Sequence, residues 1–274
     1  MSFNDHLRDV QRQRRSLLCV GLDIDPAKLP EPLKGRPDGV VEFARAIVAA
    51  TQDLVCAFKP NLAFFEALGR NGWDALRRTL DVIPPGVVTI GDGKRADIGN
   101  TSARYASALF TEFGFHAVTV NPYMGSDSVE PFLADPEHGV FLLALTSNPG
   151  SRDFQRKRVG SGRLYEAVVR TARKWNTRGN LGLVVGATHP SELKRVRALA
   201  PDMPLLIPGI GTQGGDLRAS IRWGCTADGD LAVINASRSI LYASSGRDFA
   251  DAARAEALRL RDAIEEQRHH FFSE

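Results

Sequence analysis

Residues 87–101 read VVTIGDGKRADIGNT, and this stretch joins an apolar run to a cluster of charged residues. The run is continuous rather than alternating in polarity, as in a parallel strand that is covered on its outer side by helices. Asp92 and Lys94 are two residues apart near its end, so both side chains face the same side of a strand. Asp97 follows at the junction with a helix, and Thr101 lies one helical turn further on. The stretch predicts a buried strand whose C-terminal end presents charged groups.

Seven further apolar runs have the same character. All eight are rich in Val, Ile and Leu, and they occupy residues 17–23, 55–61, 87–94, 117–122, 140–147, 181–187, 204–211 and 231–237. From residue 17 to residue 231 their starts are on average about 31 residues apart, which is the length of one strand–helix unit in a (β/α)8 barrel. The spacing favours a TIM barrel of the α/β class, whose active site lies at the C-terminal ends of the strands.

Segments with apolar residues three and four positions apart lie between the runs, as expected of crossover helices. Examples are residues 41–51, 73–82, 102–113, 164–175 and 249–266, and an N-terminal helix is expected over about residues 3–15. An open doubly wound sheet can also carry eight strands, and periodicity does not separate it from a barrel. Because no Ser/Gly-rich linker divides the chain, we expect one domain over residues 1–274 rather than two small ones.

The composition is that of an ordinary globular protein, with 35 Lys and Arg residues, 32 Asp and Glu residues and a net charge of +3. So small a net charge gives no basic face for nucleic acid. The apolar stretch near the N-terminus is too short for a signal peptide, and no run is long enough to span a membrane. Three cysteines and six scattered histidines lack the spacing of a zinc site. We expect a soluble, cytoplasmic protein with reduced thiols and no metal site.

Charged residues end three successive runs, at Asp23, Lys59 and the pair Asp92 and Lys94. In a barrel these four side chains would gather at one mouth and alternate in charge. Neighbouring carboxylates favour the charged form of Lys94, which suits a proton donor. A surface ion pair, with Asp97 as a helix N-cap, would explain the same residues without a function.

A glycine-rich segment, LLIPGIGTQGGD at residues 205–216, contains the pattern G-x-G-x-x-G at Gly209, Gly211 and Gly214. A dinucleotide fold is disfavoured, because that fingerprint belongs to a first strand with a carboxylate about 20 residues further on. In a barrel the segment forms the seventh loop, and loops seven and eight frequently bind phosphate. Arg238, after the eighth run, would add a positive charge. Without a function, the glycines would be explained by tight turns, and Arg238 would be an exposed residue at the start of a helix.

Six motifs together resemble orotidine 5′-phosphate decarboxylase, in particular the bacterial group that carries DxKRxDIGxT. They are LCVGLDIDP (18–26), AFKPN (57–61), DGKRADIGNT (92–101), LTSNPGS (145–151), LIPGIGTQGGD (206–216) and NASRSILYAS (235–244), and the match runs in order from about residue 16 to 245. The resemblance implies a TIM barrel enzyme that converts orotidine 5′-phosphate into uridine 5′-phosphate and CO2 in pyrimidine biosynthesis, with no metal and no organic cofactor.

The resemblance also implies residue roles. Asp23 and Lys59 would hold the ribose hydroxyls, Asp92 would lie beside the substrate carboxylate, and Lys94 would protonate the carbon that loses CO2. Asp97 and Thr101 match positions that reach the site of the neighbouring subunit, which implies a homodimer. The pyrimidine would contact Ser147, Pro208 and Gln213. The phosphate would contact Gln213, Arg238 and the loop of Gly209, Gly211 and Gly214.

One departure from the family pattern is Ser237, which is also expected to bind substrate; it stands where many relatives have glycine, and the change removes no charge from the phosphate cradle. Asn121 and the basic stretch SRDFQRKR (151–158) receive no role, although residues 149–162 could form a lid with the loop around Gly214.

Two other functions remain open. One is a metal-dependent sugar-phosphate lyase of the same superfamily, disfavoured because Lys59 stands where those relatives use a carboxylate for Mg²⁺. The other is a non-catalytic sensor of nucleotide phosphates.

Overall fold

All eight apolar runs form strands in a computed structural model, which describes residues 1–210 and 216–272. The barrel strands, in chain order, are β1 Leu18–Leu22, β2 Ala57–Pro60, β3 Val88–Arg95, β4 Ala117–Val120, β5 Gly139–Leu145, β6 Leu181–Val185, β7 Leu205–Pro208 and β8 Ala232–Ala236. Every strand lies within or close to the run that predicts it, because a parallel strand covered by helices needs continuous apolar sequence.

The strands close into a parallel barrel. Each strand pairs with the next one along the chain, and β1 also pairs with β8, placing Leu18 opposite Ile234 and Val20 opposite Ala236. This last pairing excludes the open doubly wound sheet, in which the edge strands stay apart. The predicted (β/α)8 TIM barrel is therefore confirmed.

Helices connect the strands and surround the barrel. They are α1 Phe3–Arg14, α2 Gly39–Thr51, α3 Leu62–Glu66, α4 Gly72–Leu80, α5 Gly99–Ala106, α6 Ser126–Val129, α7 Leu164–Trp175, α8 Pro190–Leu199, α9 Leu217–Gly224, α10 Arg238–Leu241 and α11 Phe249–Phe272. The segment predicted as a helix over residues 102–113 begins earlier, and its last part, Ser107–Glu112, is a π-helix. Helix α11 extends beyond the predicted residue 266, with Ala253, Ala257, Leu260 and Ile264 as its buried stripe.

Helix α1 covers the N-terminal end of the barrel. Its Phe3, Leu7 and Val10 belong to the same buried cluster as the inward-facing residues of the strands. The ring of Phe3 packs edge-on against Phe141 of β5. The side chain of Gln11 donates to the carbonyl of Ala232 at 2.8 Å and accepts from the amide of Leu231 at 2.9 Å. With this end closed, the C-terminal ends of the strands form the open mouth.

The loop after β5 is the longest polar interruption and has structure of its own. It contains a short 3-10 helix, Pro149–Arg152, and two strands of two residues each, Arg158–Val159 and Gly162–Arg163, paired antiparallel. Gln155 ties the loop to the end of β5, since its Oε1 accepts from the amide of Thr146 at 2.7 Å. None of the helices in the described part of the chain combines the length and apolar character needed to cross a membrane.

Candidate active site

A charged cavity of about 140 Å³ opens at the mouth of the barrel. Its walls come from the ends of β1, β2, β3, β7 and β8 and from the loops that follow them. The lining residues are Asp23, Lys59, Asn61, Asp92, Pro208, Gly209, Ile210, Asn235, Ser237 and Arg238. Residues far apart in sequence meet here because the C-terminal ends of all parallel strands lie at the same end of a barrel.

The carboxylate of Asp92 lies between two ammonium groups. Its Oδ2 is 2.8 Å from Nζ of Lys59, and its Oδ1 is 2.7 Å from Nζ of Lys94. Asp23 extends the row, with its Oδ1 3.9 Å from Nζ of Lys59. The side chains of Lys59 and Asp92 are nearly excluded from water, whereas 44% of the Lys94 side chain is exposed. Of the two ammonium groups, that of Lys94 is the more accessible to a bound molecule.

Burial and neighbouring charges act in opposite directions on this row. Burial disfavours both charged forms, but the carboxylates of Asp92 and Asp23 raise the pKa of Lys59 above its ordinary value. Burial likewise opposes the charge of Asp92, yet the ammonium groups of Lys59 and Lys94 hold the pKa of Asp92 well below its usual range. Asp92 is therefore ionised at neutral pH and Lys59 is protonated.

The backbone at Lys94 is unusual. Its φ of +46° lies in the left-handed region, which costs a residue with a side chain about 1–2 kcal/mol. The pairing of β3 with β4 also shifts register between Gly91 and Arg95. The amide of Lys94 donates to Oγ1 of Thr119 on β4 at 2.9 Å, and this hydroxyl donates to Oδ1 of Asp92 at 2.9 Å. Thr119 was missed from sequence. The available signal was a polar residue within the apolar run 117–122, which forms the strand next to that of Asp92.

Asp23 is held by a residue from the opposite end of the chain. The hydroxyl of Tyr242, just after α10, donates to the backbone carbonyl of Asp23 at 3.0 Å and accepts from the amide of Asp25 at 2.9 Å. Oδ1 of Asp23 is buried and has no hydrogen-bond partner in the described part of the chain. A buried carboxylate oxygen without a hydrogen bond is available to a hydroxyl group of a ligand. Tyr242 was also missed from sequence.

Arg238 begins α10 and borders the cavity beside Ser237, Pro208 and Gly209. Gly209 has a φ of +105°, a conformation that favours glycine. Ser237 packs so closely against β1 that a Cβ on Gly21 would collide with its hydroxyl. Ser237 also accepts a hydrogen bond from Nδ2 of Asn235 at 3.3 Å. Gly211, Gln213 and Gly214, the remaining phosphate-loop candidates, lie outside the described residues.

Three further candidates lie outside the cavity lining. Asp97 precedes α5 and accepts from the amide of Ile98 at 2.7 Å, while Thr101 lies in the first turn of that helix. Ile98 rather than Asp97 is the N-cap of α5, and no side chain caps this helix, so the alternative in which Asp97 serves as the N-cap is wrong. Ser147 follows β5 and packs against Gly186 at the end of β6. The structure thus brings seven candidates to the cavity lining. Lys94 lies outside the lining but is bonded to Asp92, and Asp97, Thr101 and Ser147 also lie outside it.

Within residues 1–210 and 216–272, no group of three or more His, Cys, Asp or Glu side chains is arranged to hold a metal ion. All three cysteines are buried free thiols.

Comparison with known proteins identifies relatives of the whole chain. The model of the orotidine 5′-phosphate decarboxylase / HUMPS family matches residues 16–253. An orotidine 5′-phosphate decarboxylase of Azoarcus sp. (strain BH72) is 56% identical, over 96% of this chain and 98% of the relative. A second, of Roseiflexus sp. (strain RS-1), is 53% identical over 96% and 97%. The solved structure of an OMP decarboxylase of Leishmania donovani has a TM-score of 0.86 and 42% identity, over 98% of this chain and 99% of that one.

Proposed function

This chain belongs to the orotidine 5′-phosphate decarboxylase / HUMPS family and is a carboxy-lyase, and we propose that it converts orotidine 5′-phosphate into uridine 5′-phosphate by direct proton transfer from Lys94. The observation that carries the proposal is the row Asp23, Lys59, Asp92 and Lys94 at the barrel mouth. It places a partly exposed ammonium group beside a fixed carboxylate. These are the groups that a decarboxylation without an electron sink requires.

The step at Lys94 needs no cofactor. The bond between the pyrimidine ring and the carboxylate carbon breaks, CO2 leaves, and the electron pair stays on the ring carbon. A proton from Nζ of Lys94 then forms the new C–H bond. A fixed cation next to the developing carbanion stabilises the transition state, because it is already oriented when the charge appears.

Asp92 has a second effect on the same step. The substrate carboxylate, bound next to Lys94, would lie close to the carboxylate of Asp92. At about 4 Å and an effective dielectric constant near 20, two such charges repel by about 4 kcal/mol. The repulsion disappears as CO2 leaves, whereas the attraction of Lys94 for the carbanion grows. We assign the larger part of the rate acceleration to the stabilisation of the developing carbanion by Lys94.

The remaining candidates are proposed to bind the rest of the substrate. Asp23 and Lys59 would bond the ribose hydroxyls, which is supported by the lack of a hydrogen bond to Oδ1 of Asp23. Arg238 would pair with the phosphate next to Gly209 and Ser237, and Gly211, Gln213 and Gly214 would complete that loop. Ser147 and Pro208 would contact the pyrimidine. Phosphate binding remote from the reacting carbon can drive closure of the loops after β5 and β7 and exclude water.

A homodimer is proposed on the same side of the barrel. Ile98, Tyr123 and Met124 are exposed apolar residues that follow β3 and β4, and the side chain of Tyr123 is 86% exposed. Helix α5 begins beside α6, with Gly99 next to the carbonyl of Asp127, so these residues share one rim. Covering this rim with a second copy would bury the apolar side chains and bring Asp97 and Thr101 towards the partner's cavity.

The metal-dependent sugar-phosphate lyase is disfavoured by the end of β2. Lys59 occupies the position where such an enzyme needs a carboxylate, and its ammonium group already bonds Asp92. A divalent cation placed there would face a buried positive charge. The experiment that separates the two functions is decarboxylation of orotidine 5′-phosphate with and without EDTA: full activity in EDTA supports the proposal, and activity that depends on added Mg²⁺ contradicts it.

The setting of the reaction follows from the product. Uridine 5′-phosphate is a pyrimidine nucleotide, so we assign the enzyme to pyrimidine biosynthesis. Cys19, Cys56 and Cys225 are buried and unpaired, and burial raises the pKa of each thiol. Free thiols are typical of a reducing compartment, and we propose that the enzyme works in the cytoplasm.

A further inference from the structure

Thr119 contacts both reacting-site residues of β3 from the neighbouring strand. Its side chain points into the barrel mouth, and the residue is only 2% exposed. A threonine hydroxyl has one proton to donate and lone pairs to accept with. The ionised carboxylate of Asp92 can only accept, and the backbone amide of Lys94 can only donate. The directions of both hydrogen bonds are therefore fixed, from Lys94 to Thr119 and from Thr119 to Asp92.

The hydroxyl replaces a backbone contact that the strand pairing does not provide. Regular pairing of β3 with β4 is interrupted between Gly91 and Arg95, and Lys94 lies within this interruption with a positive φ. Its amide takes the side chain of Thr119 as acceptor instead of a ladder carbonyl. An unusual backbone conformation persists only where the surroundings fix it, and here Thr119 supplies one such contact.

We propose that Thr119 is a positioning residue for the decarboxylation, which holds the Asp92 carboxylate and the Lys94 backbone in the relative orientation that proton transfer needs. It touches no reacting atom itself. The inference rests on the proposed function, in which Lys94 donates the proton and Asp92 faces the substrate carboxylate. Thr119 would thus contribute to the site by orienting Asp92 and Lys94, and not by carrying a charge.

The role of a hydroxyl is tested with two substitutions of Thr119. Thr119→Val keeps the shape and removes both hydrogen bonds, whereas Thr119→Ser keeps the hydroxyl and removes the methyl group. We expect kcat to fall by at least tenfold in T119V, while KM for orotidine 5′-phosphate changes less than threefold, because ribose and phosphate contacts stay in place. In T119S we expect kcat within about fivefold of the parent value.

A matched control is Thr89→Val. Thr89 is also a buried threonine of a barrel strand, but its hydroxyl bonds His116 near the N-terminal end of β3, away from the mouth. We expect T89V to keep the parent kcat and to lose thermal stability. If T119V does not fold, Thr119→Ala provides the same test, since it also lacks the hydroxyl and both of its hydrogen bonds.

Three outcomes would overturn the inference. A T119V or T119A enzyme with kcat within twofold of the parent would show that the two hydrogen bonds do not matter for the reaction. Equal losses in T119V and T119S would assign the effect to packing of the methyl group. A parent protein that does not decarboxylate orotidine 5′-phosphate at all would remove the proposed function and the inference together, and this result is distinguished by the parent assay alone.

Discussion

Lys59 and Asp92 form an ion pair of 2.8 Å inside the barrel mouth, with only 4% and 10% of their side chains exposed. Because both groups are buried, removing either one leaves part of the charge of the other uncompensated. This relationship links the stability of the barrel to its chemistry. The same carboxylate that is anchored by Lys59 on β2 also orients Lys94 on β3.

Removal of Lys59 tests the energetic side of this pair. We expect Lys59→Met to lower the free energy of unfolding by about 3 kcal/mol, since breaking a buried pair leaves Asp92 undercompensated. Urea unfolding of the parent and the variant measures the difference. The double variant K59M/D92L provides the control, because replacing both charges by apolar groups is expected to recover part of the loss. Unchanged stability of K59M would show that Lys94 and Thr119 suffice to hold Asp92.

Arg238 is expected to provide phosphate affinity. A hydrogen bond to a charged group contributes about 1.5–3 kcal/mol, so Arg238→Ala should weaken binding of uridine 5′-phosphate by roughly 10-fold to 150-fold. Binding of uridine, which lacks the phosphate, should change little. Calorimetric titration with both ligands checks this, with Arg247→Ala as control because Arg247 is an exposed arginine just beyond α10. An equal loss of affinity for uridine 5′-phosphate and for uridine would show that Arg238 does not contact the phosphate.

The histidines at the N-terminal end of the barrel predict acid sensitivity. Burial, with smaller contributions from His6 and His138, lowers the pKa of His116 to about 4. Its Nδ1 accepts from the amide of Thr89, which requires an unprotonated nitrogen. Below a pH of about 6.5 the imidazole of His116 is protonated in the unfolded chain, whereas in the folded protein it becomes protonated only near pH 4. Stability should therefore fall between these values, by up to roughly 3 kcal/mol from this group.

The measurement is the melting temperature as a function of pH for the parent, for His116→Gln and for His270→Gln. We expect H116Q to be less stable at neutral pH and to lose part of the decline towards pH 4. Because His270 is exposed on α11, H270Q should follow the parent curve. If the melting temperatures of the parent and H116Q decline in parallel towards pH 4, His116 is not the cause of the acid sensitivity.

The rim of Ile98, Tyr123 and Met124 predicts the oligomeric state. A charge introduced at Tyr123 would be buried in the proposed interface, so Tyr123→Glu should raise the dimer dissociation constant at least tenfold. Analytical ultracentrifugation measures this shift. Leu258→Glu is the matched control, because Leu258 is an exposed apolar residue of α11. Decarboxylase activity should fall with the dimer in Y123E, since Asp97 and Thr101 are proposed to act across the interface.

The sequence predicted the strands better than the contacts between them. Continuous apolar runs determine where a buried parallel strand lies, and their regular spacing matches the barrel. The bulge between Gly91 and Arg95 and the positive φ of Lys94 depend on pairing with β4, which no local pattern records. The hydrogen bonds of Thr119 and Tyr242 were missed for the same reason, since both join segments distant in sequence.

The charged row was predictable because each member ends a strand. In a parallel barrel, the end of a run is also the position of the mouth, so Asp23, Lys59, Asp92 and Lys94 could be placed together without knowing any distance. The order in which they touch could not be obtained in this way. It depends on side-chain reach and burial, which leave Lys59 enclosed and Lys94 partly exposed.

The most direct test of the account is the ultraviolet absorbance of orotidine 5′-phosphate incubated with the purified protein, with and without EDTA, beside the Lys94→Ala variant. We expect a fall in absorbance that EDTA does not change and that slows by orders of magnitude in K94A, while K94A keeps the circular dichroism spectrum of the parent. A K94A enzyme with nearly full activity, or a folded parent that leaves the absorbance unchanged, would contradict it.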